Sequence, residues 1–158
     1  MSEFSTLYAD YTTQIGILIN AMVALVLGGI IGFERELKRR PAGMRTHFLV
    51  AVSAALFINL SELLVNISPG EAGSHLVNFD PSRALVAIVT GISFLGAGTI
   101  FRSEDGVTGL TTAATLLFAG AMGITVALGE YVLATALTLL IVALLRILGA
   151  VEDYINRQ

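Results

Sequence analysis

The chain has no cysteine, which excludes disulfides, thiolate metal sites and a cysteine nucleophile. It is also poor in charge: 13% of its 158 residues are Asp, Glu, Lys or Arg, against about 25% in a soluble domain. The N-terminal M-S-E-F-S-T-L-Y-A-D-Y carries no basic residue ahead of the first apolar run, so it lacks the n-region of a cleavable signal peptide. The first helix is therefore read as retained. Only two histidines occur, His47 and His75, and the expected topology puts them on opposite sides of a membrane, which leaves no histidine metal site. A phosphate loop, a G-x-S-x-G turn and an intramembrane carboxylate pair are all missing. The chain is accordingly not read as an enzyme, and no catalytic residue, cofactor, resident metal or nucleic-acid partner is expected.

What remains is strongly apolar. Hydrophobic residues make up 55% of the chain, and the mean hydropathy is +0.82. A membrane-crossing helix needs about 20 mostly apolar residues. Five segments qualify, roughly 15–33, 46–64, 84–101, 110–128 and 131–148, with Glu62 as the one acidic residue inside them. The expected fold is an all-α bundle of five transmembrane helices forming a single domain over residues 1–158.

Charge sets the orientation. Five of the nine Lys and Arg residues, Arg35, Lys38, Arg39, Arg40 and Arg45, crowd into one short turn after the first helix. The turn after the third helix carries Arg102 and the tail carries Arg157, whereas the 66–82 loop and Gly129-Glu130 carry no Lys or Arg. Lys and Arg stay on the cytoplasmic side during insertion, so the N-terminus is expected outside and the C-terminus inside. Lys38-Arg39-Arg40 reads as a topology determinant lying on anionic lipid. Arg83 breaks the asymmetry; it either snorkels to the outer headgroups or pairs with Glu62 or Asp80.

A weak internal echo accompanies this topology. Gly32 and Gly43 have the same spacing as Gly98 and Gly109, and Gly43-Met44-Arg45-Thr46 is similar to Gly109-Leu110-Thr111-Thr112. A duplicated helical hairpin would produce such an echo, with the fifth helix appended.

Small residues recur inside the spans: Gly28-x-x-x-Gly32 in the first helix, Gly91, Gly96 and Gly98 in the third, and Ala119-x-x-x-Gly123 in the fourth. They suit close packing of helix backbones. Packing within one chain and a homodimer seam on the first helix are both consistent with them, and 91–98 could also be unwound to line a cavity. Among ionisable groups, Glu34 and Arg35 end the first helix and Arg45 opens the second, so the three are expected to meet as a clamp or a docking site. Asn59, Ser53, Thr90, Ser93, Thr111, Thr112 and Thr115 are the main polar groups within the spans, bonding across helices or lining a polar pocket. Glu71, His75 and Asp80 share an outer loop that has two prolines and two glycines, and they are weak candidates for a divalent cation.

Three motifs follow one another: G-G-I-I-G-F-E-R-E at 28–36, P-A-G-M-R-T-H-F-L-V at 41–50, and R-A-L-V-A-I-V-T-G-I-S-F-L-G-A-G-T-I-F-R-S-E-D-G-V-T-G-L-T-T-A-A-T-L at 83–116. Together they resemble the membrane part of the bacterial MgtC/SapB proteins. The resemblance implies an inner-membrane protein tied to growth in low magnesium and to survival inside host cells. It implies a regulator of other membrane machines, notably the F-type ATP synthase, rather than a magnesium pump. The family pattern falls on Glu34, Arg35, Gly43, Arg45, Thr46, Arg83, Gly91, Gly96, Gly98, Glu104, Gly109 and Thr112. Ser93, Thr111 and Leu117 depart from it, standing where members often have Gly, Asn and Trp. Many members continue into a soluble ACT-like domain, whereas the sequence in hand stops at Gln158.

The expected partners are membrane lipid, another membrane complex and a second copy of the chain, a dimer being favoured. Two other functions stay open. One is a divalent-cation carrier with a polar path through Asn59, Thr90, Thr111 and Thr115. The other is a lipid- or small-molecule-binding role through the glycine-rich third helix.

Overall fold

A computed structural model of the chain describes residues 2–67, 81–104 and 106–155. Five helices follow in order: α1 Ser2–Leu37, α2 Met44–Ile67, α3 Pro81–Ala97, α4 Leu110–Ala127 and α5 Tyr131–Ile155. Four of them are long and apolar enough to cross a membrane, and α3 is a shorter apolar helix of 17 residues. The expected end of the third helix at 101 is therefore four residues too far. Gly98 and Thr99 form a turn there, and Thr99 bonds back to the Gly96 carbonyl through both its backbone N–H (2.9 Å) and its hydroxyl (2.7 Å). The chain then enters a two-stranded antiparallel hairpin, β1 Phe101–Ser103 and β2 Gly106–Thr108, with Arg102 opposite Val107.

The helix ends have local causes. At the end of α1, Arg40 N–H bonds to Arg35 O and Arg39 N–H to Glu36 O, the paired bonds of a Schellman turn. Arg39 occupies its left-handed position, φ 51°, where glycine is usual. α4 ends in the same way, with Glu130 N–H on Thr125 O, Gly129 N–H on Val126 O, and Gly129 at φ 79°. The carboxylate of Glu36 accepts a 2.9 Å bond from Met44 N–H and so caps the start of α2.

α1, α2 and α4 pack mutually to form the centre; α3 lies on α4 and α2, and α5 on α1 and α4. Missing side chains make these approaches close. A Cβ on Gly28 would meet Ala51 Cβ at 2.7 Å, and one on Gly32 would meet Met44 Cα at 2.5 Å. On α4, Gly123 lies against the Ala51 carbonyl and Gly120 against Ile92. The shared core is built from small and branched residues such as Ala24, Ile31, Ala51, Ala55, Met122 and Val126. Gly28 and Gly32 are thus used in the α1/α2 contact, and the face expected to form a dimer seam is covered within the chain. α3 is helical through Gly91 and Gly96, with no unwound segment.

The two turns that carry the internal echo differ in their contacts. Gly32 packs on a neighbouring helix, whereas Gly98 has only carbonyls of its own helix nearby. The first turn is a tight connection and the second is a β-hairpin. Arg83 is exposed, and among the described residues no ion pair joins it to Glu62. Asp80 lies outside the described residues, as do Glu71 and His75 of the proposed cation loop.

Candidate functional site

The basic end of the bundle holds a buried polar knot. Glu34 and Arg35 lie near the end of α1 and each is only 3% exposed. They are adjacent in sequence, so their side chains leave the helix about 100° apart and cannot face each other squarely. Arg35 Nε lies 3.5 Å from Glu34 Oε2, close enough for ionic attraction, yet neither atom makes a hydrogen bond. Among the described residues the only other buried polar side-chain atom left without a partner is the Thr138 hydroxyl on α5. Incomplete satisfaction is therefore concentrated on this charge pair.

Arg45 does not join them. It is exposed, and the α2 side chain that turns inward is His47. Two residues along a helix place side chains about 200° apart, so burying His47 sends Arg45 out the other side. His47 is 0% exposed. Its Nδ1 lies 2.9 Å from Gly43 O and its Nε2 3.0 Å from Thr115 Oγ1. The Thr115 hydroxyl in turn lies 2.9 Å from Thr112 O. Gly43 O can only accept, which places a proton on Nδ1. On a neutral ring Thr115 must then donate either to Nε2 or to Thr112 O. All three bonds coexist only when both ring nitrogens are protonated. The histidine also lies on the α1 contact, where a Cβ on Gly32 would meet His47 Cβ at 2.9 Å.

Thr112 and Thr115, three apart on α4, face inward, while Thr111 is exposed. Thr46 and Glu104 are exposed as well, the latter in the hairpin turn. Asn59 belongs to the opposite end. Its amide donates to Ala55 O at 2.9 Å, Asn20 donates to Asn59 Oδ1 at 3.2 Å, and Tyr131 OH donates to Asn20 Oδ1 at 2.6 Å. This network ties α1, α2 and α5 together. His47, Asn20 and Tyr131 are absent from the sequence-derived set. A lone amide in an apolar run needs an internal partner, and that signal points to Asn20.

Among the described residues, grooves open on the bundle surface at two places that bear on the site. The larger, about 960 Å³, runs between α2 and α3 from Arg45 to Leu64, and Gly91 lines it. The smaller, about 450 Å³, lies among α1, the start of α2, and α5, and Arg146 marks it. In each, the one charged lining residue is an arginine and no carboxylate takes part. Among the described residues, no three His, Cys, Asp or Glu side chains converge as metal ligands would.

The family model described as the MgtC family matches residues 10–154, nearly the whole chain. The chain belongs to the MgtC family. It is similar to Protein MgtC of Brucella suis biovar 1, with 42% identity over 134 residues that cover 83% of this chain and 52% of the relative. Against Protein MgtC of Salmonella typhimurium (strain LT2), identity is 39% over 140 residues, covering 89% of this chain and 55% of the relative. The chain thus spans about half the length of the curated MgtC proteins it matches. No solved structure matches it. The structure divides the positions on which the MgtC resemblance falls. Glu34, Arg35, Gly43 and Thr112 gather at the knot, Arg45, Thr46 and Gly91 line the larger groove, and Gly96 packs on Ala113 of α4.

Proposed function

We propose that this chain is part of a non-transporting inner-membrane regulator, linked to adaptation to low magnesium and to survival inside host cells. It acts by docking on another membrane complex, with the F-type ATP synthase as the candidate partner. One observation carries this reading: both grooves present an arginine and no carboxylate. Magnesium gives up its water reluctantly and is held through carboxylates, so a cavity whose single charge is positive repels it. Glu34, a buried carboxylate, is matched by Arg35 and lines neither groove.

The basic end supplies a surface for docking. Arg39, Arg40 and Arg102 are exposed there, and the β-hairpin holds Phe101 and Val107 out of the core. Apolar side chains on a small exposed hairpin, flanked by charge, suit contact with a protein surface. A dimer of the chain would have to use a face other than Gly28–Gly32, such as the outer faces of α3 or α5.

The test is photo-crosslinking in cells grown in low magnesium, with a photoreactive residue replacing Val107. A crosslink to a membrane subunit of the synthase, missing when the probe replaces the exposed Leu140 of α5, is the expected result. Crosslinks from both positions to the same bulk membrane proteins would contradict docking through the hairpin.

A further inference from the structure

The α2/α3 groove has a length and a charge that the docking role leaves unused. Its volume, about 960 Å³, stands near the top of the ~300–1,000 Å³ range of small-molecule sites. The floor is apolar and buried, formed by Ala54, Ile88 and Ile92. Space is kept open above α3, where a Cβ on Gly91 would meet nothing within 4 Å. Along α2 the lining runs from Arg45 to Leu64, a rise of about 28 Å, and one leaflet of a ~30 Å hydrocarbon core fills roughly the half of it next to Arg45. Ser61, on the wall, already donates its hydroxyl to Phe57 O at 2.8 Å. Ser53 is the other serine on the wall, and beyond Arg45 and Thr46 the rest of the lining is apolar.

Its one charge stands at one end. Arg45 lies in the first turn of α2, at headgroup level on the basic face, with Thr46 beside it. Among the described residues its guanidinium has no ion pair. A guanidinium offers paired N–H donors that match two phosphate oxygens.

We propose that this groove is a binding site for one anionic glycerophospholipid, its phosphate on Arg45 and its acyl chains between α2 and α3. A lipid supplies the anion at the level where Arg45 stands, and flexible chains that fill an irregular apolar trough. A docked helix would need an acidic residue at that same level to avoid burying the arginine unpaired. Basic pockets between helices on the cytoplasmic side are a recurrent way of holding anionic headgroups. The site is independent of whether the hairpin docks on a partner complex.

The test is native mass spectrometry of the purified chain in mild detergent. Phosphatidylglycerol and phosphatidylethanolamine of identical acyl composition are titrated against the wild type, Arg45→Gln, Ala87→Phe and Arg83→Gln. One phosphatidylglycerol per chain should be retained in preference to phosphatidylethanolamine by roughly fivefold, the factor that one arginine contributes near an anionic surface. Arg45→Gln should abolish the preference, Ala87→Phe should block retention of both lipids, and Arg83→Gln should change nothing. Equal retention of the two lipids by the wild type, or a preference that survives Arg45→Gln, would overturn the proposal. So would a dimer that forms through the groove and excludes lipid. Circular dichroism checks that each variant is folded, and if Ala87→Phe is not, Arg45→Gln decides alone.

Discussion

The two ends of the bundle solve the problem of buried polarity in opposite ways. At the end of α2 away from the basic turn, Tyr131, Asn20 and Asn59 form a neutral chain in which each amide or hydroxyl finds a partner, finishing on the Ala55 carbonyl. At the basic end, full charges are buried instead, and Glu34 Oε2 and Arg35 Nε are left without hydrogen bonds. The neutral network is a fastener: it ties three helices and leaves nothing over. The charged knot is a poor fastener, because desolvating two ions outweighs what an ill-aligned pair returns. An arrangement of that kind inside a membrane is a functional-site candidate by default. Here it stands near His47, whose ring reaches Thr115 of α4.

That contrast can be broken most directly at Arg35. Arg35→Met leaves Glu34 buried and uncompensated, and it should cost about 3–5 kcal/mol in thermal or denaturant unfolding of the detergent-solubilised chain. The double variant Glu34→Gln with Arg35→Met should recover most of that loss. If it does not, the knot is needed for folding and the distinction between the two ends fails.

His47→Leu comes next. It removes both ring hydrogen bonds, while Gly43 O keeps the backbone N–H of residue 47 (3.3 Å) and the Thr115 hydroxyl keeps Thr112 O (2.9 Å), at a cost of about 1–3 kcal/mol. His47→Gln, which retains a donor, should lose less in the same unfolding measurement. Equal losses would mean that the ring acts by volume alone.

The smallest effect belongs to the neutral end. Tyr131→Phe removes one hydrogen bond and should lower stability by only about 0.6 kcal/mol, the average for such bonds between membrane helices. A loss as large as that of Arg35→Met would erase the comparison.

How much of this was legible in the residues follows the same division. The helices could be read from apolar runs bounded by charge, as at Glu34 and at Gly129-Glu130. The end of α3 could not, because Thr99-Ile100-Phe101 is apolar yet leaves the helix for the hairpin. Gly109, at φ 89°, lies hard against the Thr99 carbonyl where the two strands meet. Arg45 was expected beside Glu34 because both flank one turn; helical phase turns it outward and brings His47 in. Asn20 and Tyr131 do not stand out in the sequence, and His47 is weighed there only as a metal ligand, because each looks isolated along the chain. Their partners stand 68, 39 and 111 positions away. Contacts of that reach depend on how α1, α2, α4 and α5 pack, and glycines such as Gly32 and Gly123 set that packing through the side chains they lack.

The most direct test of a regulator without a cation path is magnesium uptake. The purified chain, shown to be folded and inserted, is placed in sealed liposomes with a luminal magnesium dye, beside Glu34→Gln, Glu104→Gln and an unrelated membrane protein. Uptake no faster than that of the unrelated protein is the predicted result. Uptake above that control, reduced by Glu34→Gln, would contradict it and make the buried carboxylate part of a conduction path.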